Sequence, residues 1–393
     1  MDNKLTKKSL SRPRWLARAG AIAAFATSAC GTDSSAGNGA YAAAGGGPST
    51  GGASLMTGAT GGSAGSGTND AGAATLAVVE TPLVADDGSA PTKDPNLLNA
   101  WGLAINPDAP GGPFFWVSAN HSGLATVYDA AGKVAPLVVN VTPGDGGAPT
   151  AEPTGQVFNA TTGFMGDKFI FDGEDGKVSG WQSGTTAVVR ADESASGAIY
   201  KGLAIVGSTL WAANFHAGTI DVFDAKYAKT ATSPADSTIP SGYAPFNVAD
   251  IDGKVYVAYA MQDSAAQDDS PGAGHGYVDV FRESGQFDRR LVSAGALNSP
   301  WGIAKAPATF GAFAGALLIG NFGDGAIHAF DAASGALLGS FVKRSGLPLA
   351  IAGLWDLKFG PKTASVDLTS TLFFTAGPGG EAHGLFGKLE LAP

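Results

Sequence analysis

The chain contains a single cysteine, Cys30, among 393 residues. One thiol cannot form an internal disulfide, and it cannot supply a metal site built from several cysteine thiolates. Charged residues are also scarce, at 15%, whereas glycine occurs 58 times. This composition favours short strands and turns over long charged helices.

Positive charge is scarce outside the N-terminus. The chain has 24 Lys and Arg against 34 Asp and Glu, a net charge of −10. Residues 1–30 carry six basic residues and one acidic residue, or +5, which leaves −15 for the remainder. An acidic body repels phosphate backbones, so nucleic acid is excluded as a partner.

The N-terminus has the pattern of an export signal in residues 1–30. A basic segment precedes an apolar run over residues 19–26, which is too short to span a bilayer as a mature helix. The run leads to Thr27-Ser-Ala-Cys30, which is similar to a bacterial lipoprotein signal except for Thr27, where an aliphatic residue is usual. Acylated Cys30 would anchor the protein at the cell envelope. Ordinary cleavage near Ala29 is the alternative, and it would give a secreted or periplasmic protein.

Residues 31–75 are predicted to form a disordered tether. Gly, Ala, Ser and Thr make up 37 of these 45 residues, and such a segment cannot bury enough apolar surface to offset the entropy of ordering. We therefore expect a folded domain over residues 76–393, which contacts a membrane only through the lipid anchor.

A pattern of strand, glycine-containing turn and Asp-ended strand recurs along this domain. Its three clearest copies are Phe115–Asp129, Leu210–Asp224 and Leu317–Asp331. The first strand of this pattern recurs six times at intervals of about 45–55 residues, which defines six units. The residues that open these strands are Trp101, Thr154, Lys201, Phe246, Trp301 and Trp355.

Six units of four short strands predict an all-β fold, a six-bladed β-propeller of four-stranded antiparallel blades. The sixth unit ends with three strands, and a spare strand over Leu76–Glu80 precedes the first. We therefore expect this N-terminal segment to supply the outer strand of the last blade, which would close the ring and remove exposed edges.

A ligand site is expected at the end of the channel where the first strands begin, because the loops after the second strands lie on the same face. Aromatic and amide side chains there suit a glycan, a peptide or a small molecule. The alternatives are that Trp-Gly packs between blades and that the asparagines cap turns. The ligand-binding candidates are Trp101, Asn120, Asn214, Asn247, Trp301, Asn321, Trp355 and Asp356.

Two further sets of residues are candidates for chemistry at the same face. Ca²⁺ or another divalent ion requires converging oxygen ligands, for which the candidates are Asp172, Asp263 and Asp356. Proton transfer requires an imidazole or carboxyl group in reach of a substrate, for which the candidates are His216, Glu381 and His383.

Six motifs together carry a family resemblance over residues 76–391. They are residues 94–102 (DPNLLNAWG), 201–204 (KGLA), 212–224 (AANFHAGTIDVFD), 242–247 (GYAPFN), 297–302 (LNSPWG) and 375–386 (TAGPGGEAHGLF). This set resembles a family of predicted secreted bacterial propellers of unassigned function, many of which end in an exosortase-type sorting tail. The tail is absent here, and the lipoprotein-like start would replace it as the anchor.

More distantly, the repeat is similar to NHL-type repeats and to gluconolactonase-like hydrolases. The latter resemblance implies one divalent ion in the channel, held in part by a Glu from a first strand. No Glu opens a first strand in this chain.

Three functions are therefore compatible with the sequence. The first is a surface-tethered or secreted monomer that binds a ligand at the channel mouth. The second is a divalent-metal hydrolase of lactonase type that uses the same channel, and the third is a structural envelope protein.

Overall fold

The computed structural model describes residues 74–141 and 151–393. The predicted signal, Cys30 and residues 31–73 of the predicted tether lie outside the described residues. Residues 74 and 75, assigned to the tether from composition, already belong to the first strand. No helix among the described residues is long and apolar enough to cross a membrane.

The described residues form strands joined by turns and by short 3₁₀ helices at Asn120–Ser122, Phe164–Gly166, Ser194–Ser196 and Gly311–Phe313. The all-β prediction is confirmed. In chain order the strands are β1 (Ala74–Ala85), β2 (Thr92–Lys93), β3 (Ala100–Asn106), β4 (Phe114–Ala119), β5 (Leu124–Tyr128), β6 (Val134–Asn140), β7 (Pro153–Phe158), β8 (Phe169–Gly173), β9 (Lys177–Trp181), β10 (Val188–Asp192), β11 (Tyr200–Val206), β12 (Thr209–Asn214), β13 (Thr219–Phe223), β14 (Tyr243–Ile251), β15 (Lys254–Met261), β16 (Tyr277–Arg282), β17 (Phe287–Ser293), β18 (Pro300–Lys305), β19 (Leu317–Asn321), β20 (Ile327–Phe330), β21 (Leu337–Lys343), β22 (Leu354–Phe359), β23 (Leu372–Ala376) and β24 (Leu385–Leu391).

These strands pair into five sheets within the described ranges. Four sheets consist of consecutive strands: β3–β6, β7–β10, β11–β13 and β14–β17. The fifth has the order β18-β19-β20-β21-β1-β24-β23-β22, with β2 attached to β1. The third sheet has three strands rather than the four predicted for each unit.

Strand β1 joins β18–β21 to β22–β24, which the sequence repeat predicts as two separate units. Its residues from Val78 to Ala85 pair antiparallel with β24, which is the pairing expected for the N-terminal segment. Its first residues, Ala74–Val78, also pair in parallel with β21. The sequence did not predict this second pairing, because nothing in the β21 pattern marks an edge that accepts a parallel partner.

The first strand of each unit lies at the centre of the molecule. These inner strands contact one another in the cyclic order β3, β7, β11, β14, β18, β22 and back to β3. Apolar side chains fill the spaces between neighbouring sheets; for example, the Trp116 and Phe169 rings stack with centroids 3.8 Å apart. The inner strands thus surround a central channel.

Neighbouring inner strands approach so closely that a glycine is needed after most of the opening residues. A Cβ atom on Gly102 would lie 2.5 Å from the Thr154 carbonyl oxygen, and one on Gly302 would lie 2.7 Å from the Trp355 carbonyl oxygen. Both distances are below any real Cβ contact. The backbones themselves therefore form the contact between these sheets.

Asn247 and Asp356 occupy the two positions where the repeat has no glycine. The Asn247 side-chain amide donates to the Trp301 carbonyl oxygen at 2.9 Å, which links β14 to β18. Asp356 Oδ2 accepts the Leu103 N–H at 2.9 Å, which links β22 to β3. Both side chains therefore connect neighbouring inner strands.

We predict that deleting residues 76–84 lowers the thermal midpoint sharply, because the deletion exposes the edges of both β21 and β24. The midpoint can be measured by circular dichroism and compared with that of a chain that begins at residue 73. An unchanged midpoint in the deletion variant would show that β1 adds nothing to the stability of either sheet.

Candidate functional site: the central channel

A bulge at the opening residue directs side chains toward the channel axis. In all six inner strands the pairing register shifts at or next to this residue, for example between Ala100 and Leu103 in β3. A bulge adds a residue to one strand and re-aims its side chain. The six opening residues are therefore brought together where the inner strands begin, an end of the channel that we call the rim.

Trp101, Trp301 and Trp355 meet at the axis in a central aromatic cluster with Phe215, Phe246 and Phe322. The Trp101 and Trp355 rings stack with centroids 3.6 Å apart, and Trp301 meets them edge-on at 6.4 and 6.1 Å. Each tryptophan is at most 2% exposed. The expected aromatic wall of an open mouth is instead a packed cluster across the channel, because the bulges point all three indoles at the same axis.

Lys201 is a central residue that the sequence analysis did not nominate. It is 1% exposed, and its Nζ lies 5.3 Å from the centroid of the Trp101 ring. The ammonium group pairs with the carboxylates of Glu174 and Asp268, the latter at 3.0 Å. Burial alone would lower the pKa of Lys201, but these two carboxylates outweigh burial and raise the pKa above its ordinary value.

The polar contacts continue from Lys201 along the rim. The Asn120 amide donates to Glu174 at 3.3 Å, and the Asn99 amide donates to Asn120 at 3.3 Å and to Glu381 at 3.0 Å. The Trp355 indole N–H donates to Asn99 Oδ1 at 2.9 Å. We call this set, Asn99, Asn120, Glu174, Lys201, Asp268 and Glu381, the rim network.

The other two candidate asparagines, Asn214 and Asn321, form hydrogen bonds within a turn and to a neighbouring loop, respectively. Asn214 Oδ1 accepts the Ala217 N–H at 3.2 Å, and its amide donates to Asp221 at 3.0 Å. The Asn321 amide donates to the Ala296 carbonyl oxygen at 2.9 Å. The Asn214 contact to Ala217 corresponds to the turn-capping alternative for asparagine, whereas Asn321 bonds to the loop before β18.

The three candidates for proton transfer have different hydrogen-bond partners. His216 is exposed, and its Nδ1 contacts the Ala266 carbonyl oxygen at 3.1 Å. His383 Nδ1 lies 3.0 Å from Asp86 Oδ2, and this hydrogen bond raises the pKa of His383. Glu381 is buried within the rim network. The carboxylate that orients the His383 imidazole is therefore Asp86.

The three metal candidates belong to different parts of the fold. Asp172 accepts hydrogen bonds from the Thr154 hydroxyl and the Gly155 N–H, at 2.9 and 2.8 Å. Asp263 accepts backbone N–H groups of its own loop, and Asp356 links β22 to β3. Within residues 74–141 and 151–393, no group of three or more His, Cys, Asp and Glu side chains could hold a metal ion.

A large cavity opens at the end of the channel opposite the rim, where β7, β11, β14, β18 and β22 end. It has a volume of about 940 Å³, and we call it the funnel. The residues that line it include apolar Leu203, Ile205, Val248, Ile303, Leu357 and Phe359 and charged Asp250, Asp252, Lys305 and Lys358. Sequence reasoning missed the funnel, because its apolar residues have the pattern of ordinary core strands.

Comparison with known proteins finds relatives in a giant virus. The chain is 33% identical over 315 residues to uncharacterized protein R648 of Acanthamoeba polyphaga mimivirus, covering 75% of this chain and 76% of that protein. It is 31% identical over 317 residues to uncharacterized protein L690 of the same virus, covering 75% and 81%. The chain belongs to the family of these mimivirus proteins. No family model matches it, and these relatives do not support the bacterial origin that the motifs suggested.

Solved structures resemble the chain in fold at low sequence identity. A streptogramin B lyase aligns with a TM-score of 0.48 at 11% identity, over 81% of this chain and 98% of that one. A gluconolactonase from Xanthomonas campestris aligns with a TM-score of 0.37 at 17% identity, over 58% and 84%. These structural neighbours of the chain are propeller-like.

We predict that Lys201→Met lowers the free energy of unfolding by about 3 kcal/mol, because it leaves Glu174 without its buried cation. Urea denaturation measures the change. Adding Glu174→Gln to Lys201→Met should restore part of the loss, since the uncompensated carboxylate is then absent. The control is Lys362→Met, which removes an exposed lysine paired with Asp367 at 2.9 Å. An equal loss of unfolding free energy in Lys362→Met and in Lys201→Met would contradict the prediction.

We predict that Asp172 makes the stability of the fold depend on pH. Burial raises its pKa from 3.8 to about 7, so the folded state holds the proton more tightly than the unfolded state. The stabilisation that results from this tighter proton binding is complete below about pH 4 and is lost as the pH rises through 7. Asp172→Asn keeps an acceptor for Thr154 and Gly155 but carries no charge. It should raise the free energy of unfolding at pH 8 by about 2–4 kcal/mol.

Urea denaturation between pH 4.5 and 8 tests this prediction for Asp172→Asn and for the exposed control Asp108→Asn. We expect a flatter pH profile in the first variant alone. Identical profiles in the wild type and in Asp172→Asn would rule out Asp172 as the source of the pH dependence.

Proposed function

We propose that the chain is a six-bladed β-propeller that binds a small molecule in the funnel. The cyclic contact of six inner strands supports the blade count. On this interpretation β11–β13 form a three-stranded blade, and β1 is the outer strand of the blade that contains β22–β24.

The observation that carries the proposed function is the difference between the two ends of the channel. The rim is filled by the central aromatic cluster and crossed by the rim network, whose members bind one another. The funnel is open, mainly apolar and edged by a few charged groups. Its volume lies within the range of small-molecule sites, which combine an apolar lining with a few placed polar groups.

The lining also favours a small molecule over the other ligand classes that the sequence allowed. A glycan needs many hydrogen-bonding partners and exposed aromatic faces. The tryptophans that would supply such faces are buried in the central aromatic cluster. The expected binding site thus moves from the rim to the funnel.

A lactonase-type hydrolase is not proposed. Its expected metal ligands Asp172, Asp263 and Asp356 bind separate backbone segments, and His216 contacts the Ala266 carbonyl oxygen. The lipid-anchored, exported localisation remains a proposal that rests on Cys30 and the segment before it, independently of the funnel.

The proposed function is tested with the neutral fluorescent probe N-phenyl-1-naphthylamine, whose emission rises in apolar sites. We expect saturable binding of one probe per chain to the full-length protein. Ala308→Trp places a large ring at an exposed position of the funnel lining and should weaken binding by at least about tenfold.

The matched control is Ala333→Trp, which changes an exposed alanine outside the funnel lining and should bind the probe like the wild type. Absence of saturable binding to the wild type, or equal affinities in both variants, would overturn the proposed function. The first of these outcomes would favour the structural-protein alternative.

A further inference from the structure

The cationic residues that line the funnel already have carboxylate partners. Lys305 pairs with Asp252, and Lys358 Nζ lies 3.4 Å from Asp356 Oδ1. Both lysines are among the residues that line the funnel. An anionic ligand would have to compete with these internal carboxylates for either ammonium group.

Asp250 differs from these residues. It lies near the end of β14, at the edge of the apolar lining, and its Oδ1 is buried and accepts no hydrogen bond within the described part of the chain. A buried acceptor without a partner carries a free-energy cost in the folded state. Rotation of the side chain would turn this oxygen toward the funnel, where a ligand that donates a hydrogen bond to it would remove that cost.

The electrostatic surroundings of Asp250 favour a positively charged donor. Burial raises the pKa of Asp250, and the negative charges of Glu283 and Asp252 raise it further, whereas a hydrogen bond from the Gly253 N–H lowers it. Glu283 is the larger of the two electrostatic contributions, and Asp252 is already paired with Lys305. A cation beside Asp250 would offset both the repulsion and the desolvation, whereas a hydroxyl group would only supply the hydrogen bond.

We propose that the ligand of the funnel is an amphiphile with a protonated amine. The amine binds Asp250, and the apolar part of the ligand packs on Ile205, Val248, Ile303, Leu357 and Phe359. This inference rests on the proposed function and adds the chemical class of the ligand. The ammonium group donates to Asp250 Oδ1. The paired Lys305 and Lys358 remain bound to their carboxylates.

Competition against N-phenyl-1-naphthylamine at pH 7 tests the ligand class. Three competitors share a dodecyl chain and differ in the head group: dodecylamine, dodecanol and dodecyl sulfate, each below its micelle concentration. We expect dodecylamine to displace the probe at concentrations about tenfold lower than dodecanol, and dodecyl sulfate to be the weakest.

Asp250→Asn should abolish the preference for dodecylamine over dodecanol and leave the affinity for the neutral probe unchanged. The matched control is Asp288→Asn, an exposed carboxylate on β17 of the same sheet, which should keep the preference. Thermal midpoints of both variants establish that they are folded.

The outcomes separate this inference from the proposed function. The amine assignment is wrong, and small-molecule binding stands, if the probe binds and any of three results is found. These results are equal competition by dodecanol and dodecylamine, strongest competition by dodecyl sulfate, and an unchanged preference for dodecylamine in Asp250→Asn. If the probe does not bind the wild type, the proposed function fails and the amine assignment fails with it.

Discussion

The close approach of the inner strands at the channel axis is the constraint on which the rest of the structure depends. A Cβ atom on Gly102 or Gly302 would collide with the neighbouring backbone. Where a side chain is present instead, at Asn247 and Asp356, it bonds directly to the next inner strand. The bulges that permit this approach also turn the opening residues inward. The aromatic cluster is therefore a consequence of how tightly the ring is closed.

The repeat and the N-terminal pairing could be predicted because they depend on local pattern. Strand period, turn glycines and the missing last strand are all visible in the sequence. The role of Lys201 could not be derived in the same way, although it is the one charged opening residue. Its partners Glu174 and Asp268 lie on turns of two other sheets, and only the closed ring brings the three side chains together.

The two ends of the channel show why the site was harder to predict than the fold. At the rim, aromatic and polar residues are easily recognised in the sequence, but in the structure they pack against one another and form hydrogen bonds with one another. At the other end, Ile303 and Leu357 have the alternation of ordinary core residues, yet they line a cavity. Whether an apolar residue faces a neighbour or an open space depends on the angle between sheets, which no strand pattern encodes.

The pairing of β1 has a consequence for how the chain reaches its folded state. Val78 pairs with Leu391, about 310 residues away, so this contact forms only after the last strand has been synthesised. Contacts of such long sequence separation slow folding. Until β24 arrives, one edge of β1 has no partner, and an unpaired edge can bind another chain. The ring therefore stays open during synthesis. This topology exposes the growing chain to premature association with other chains.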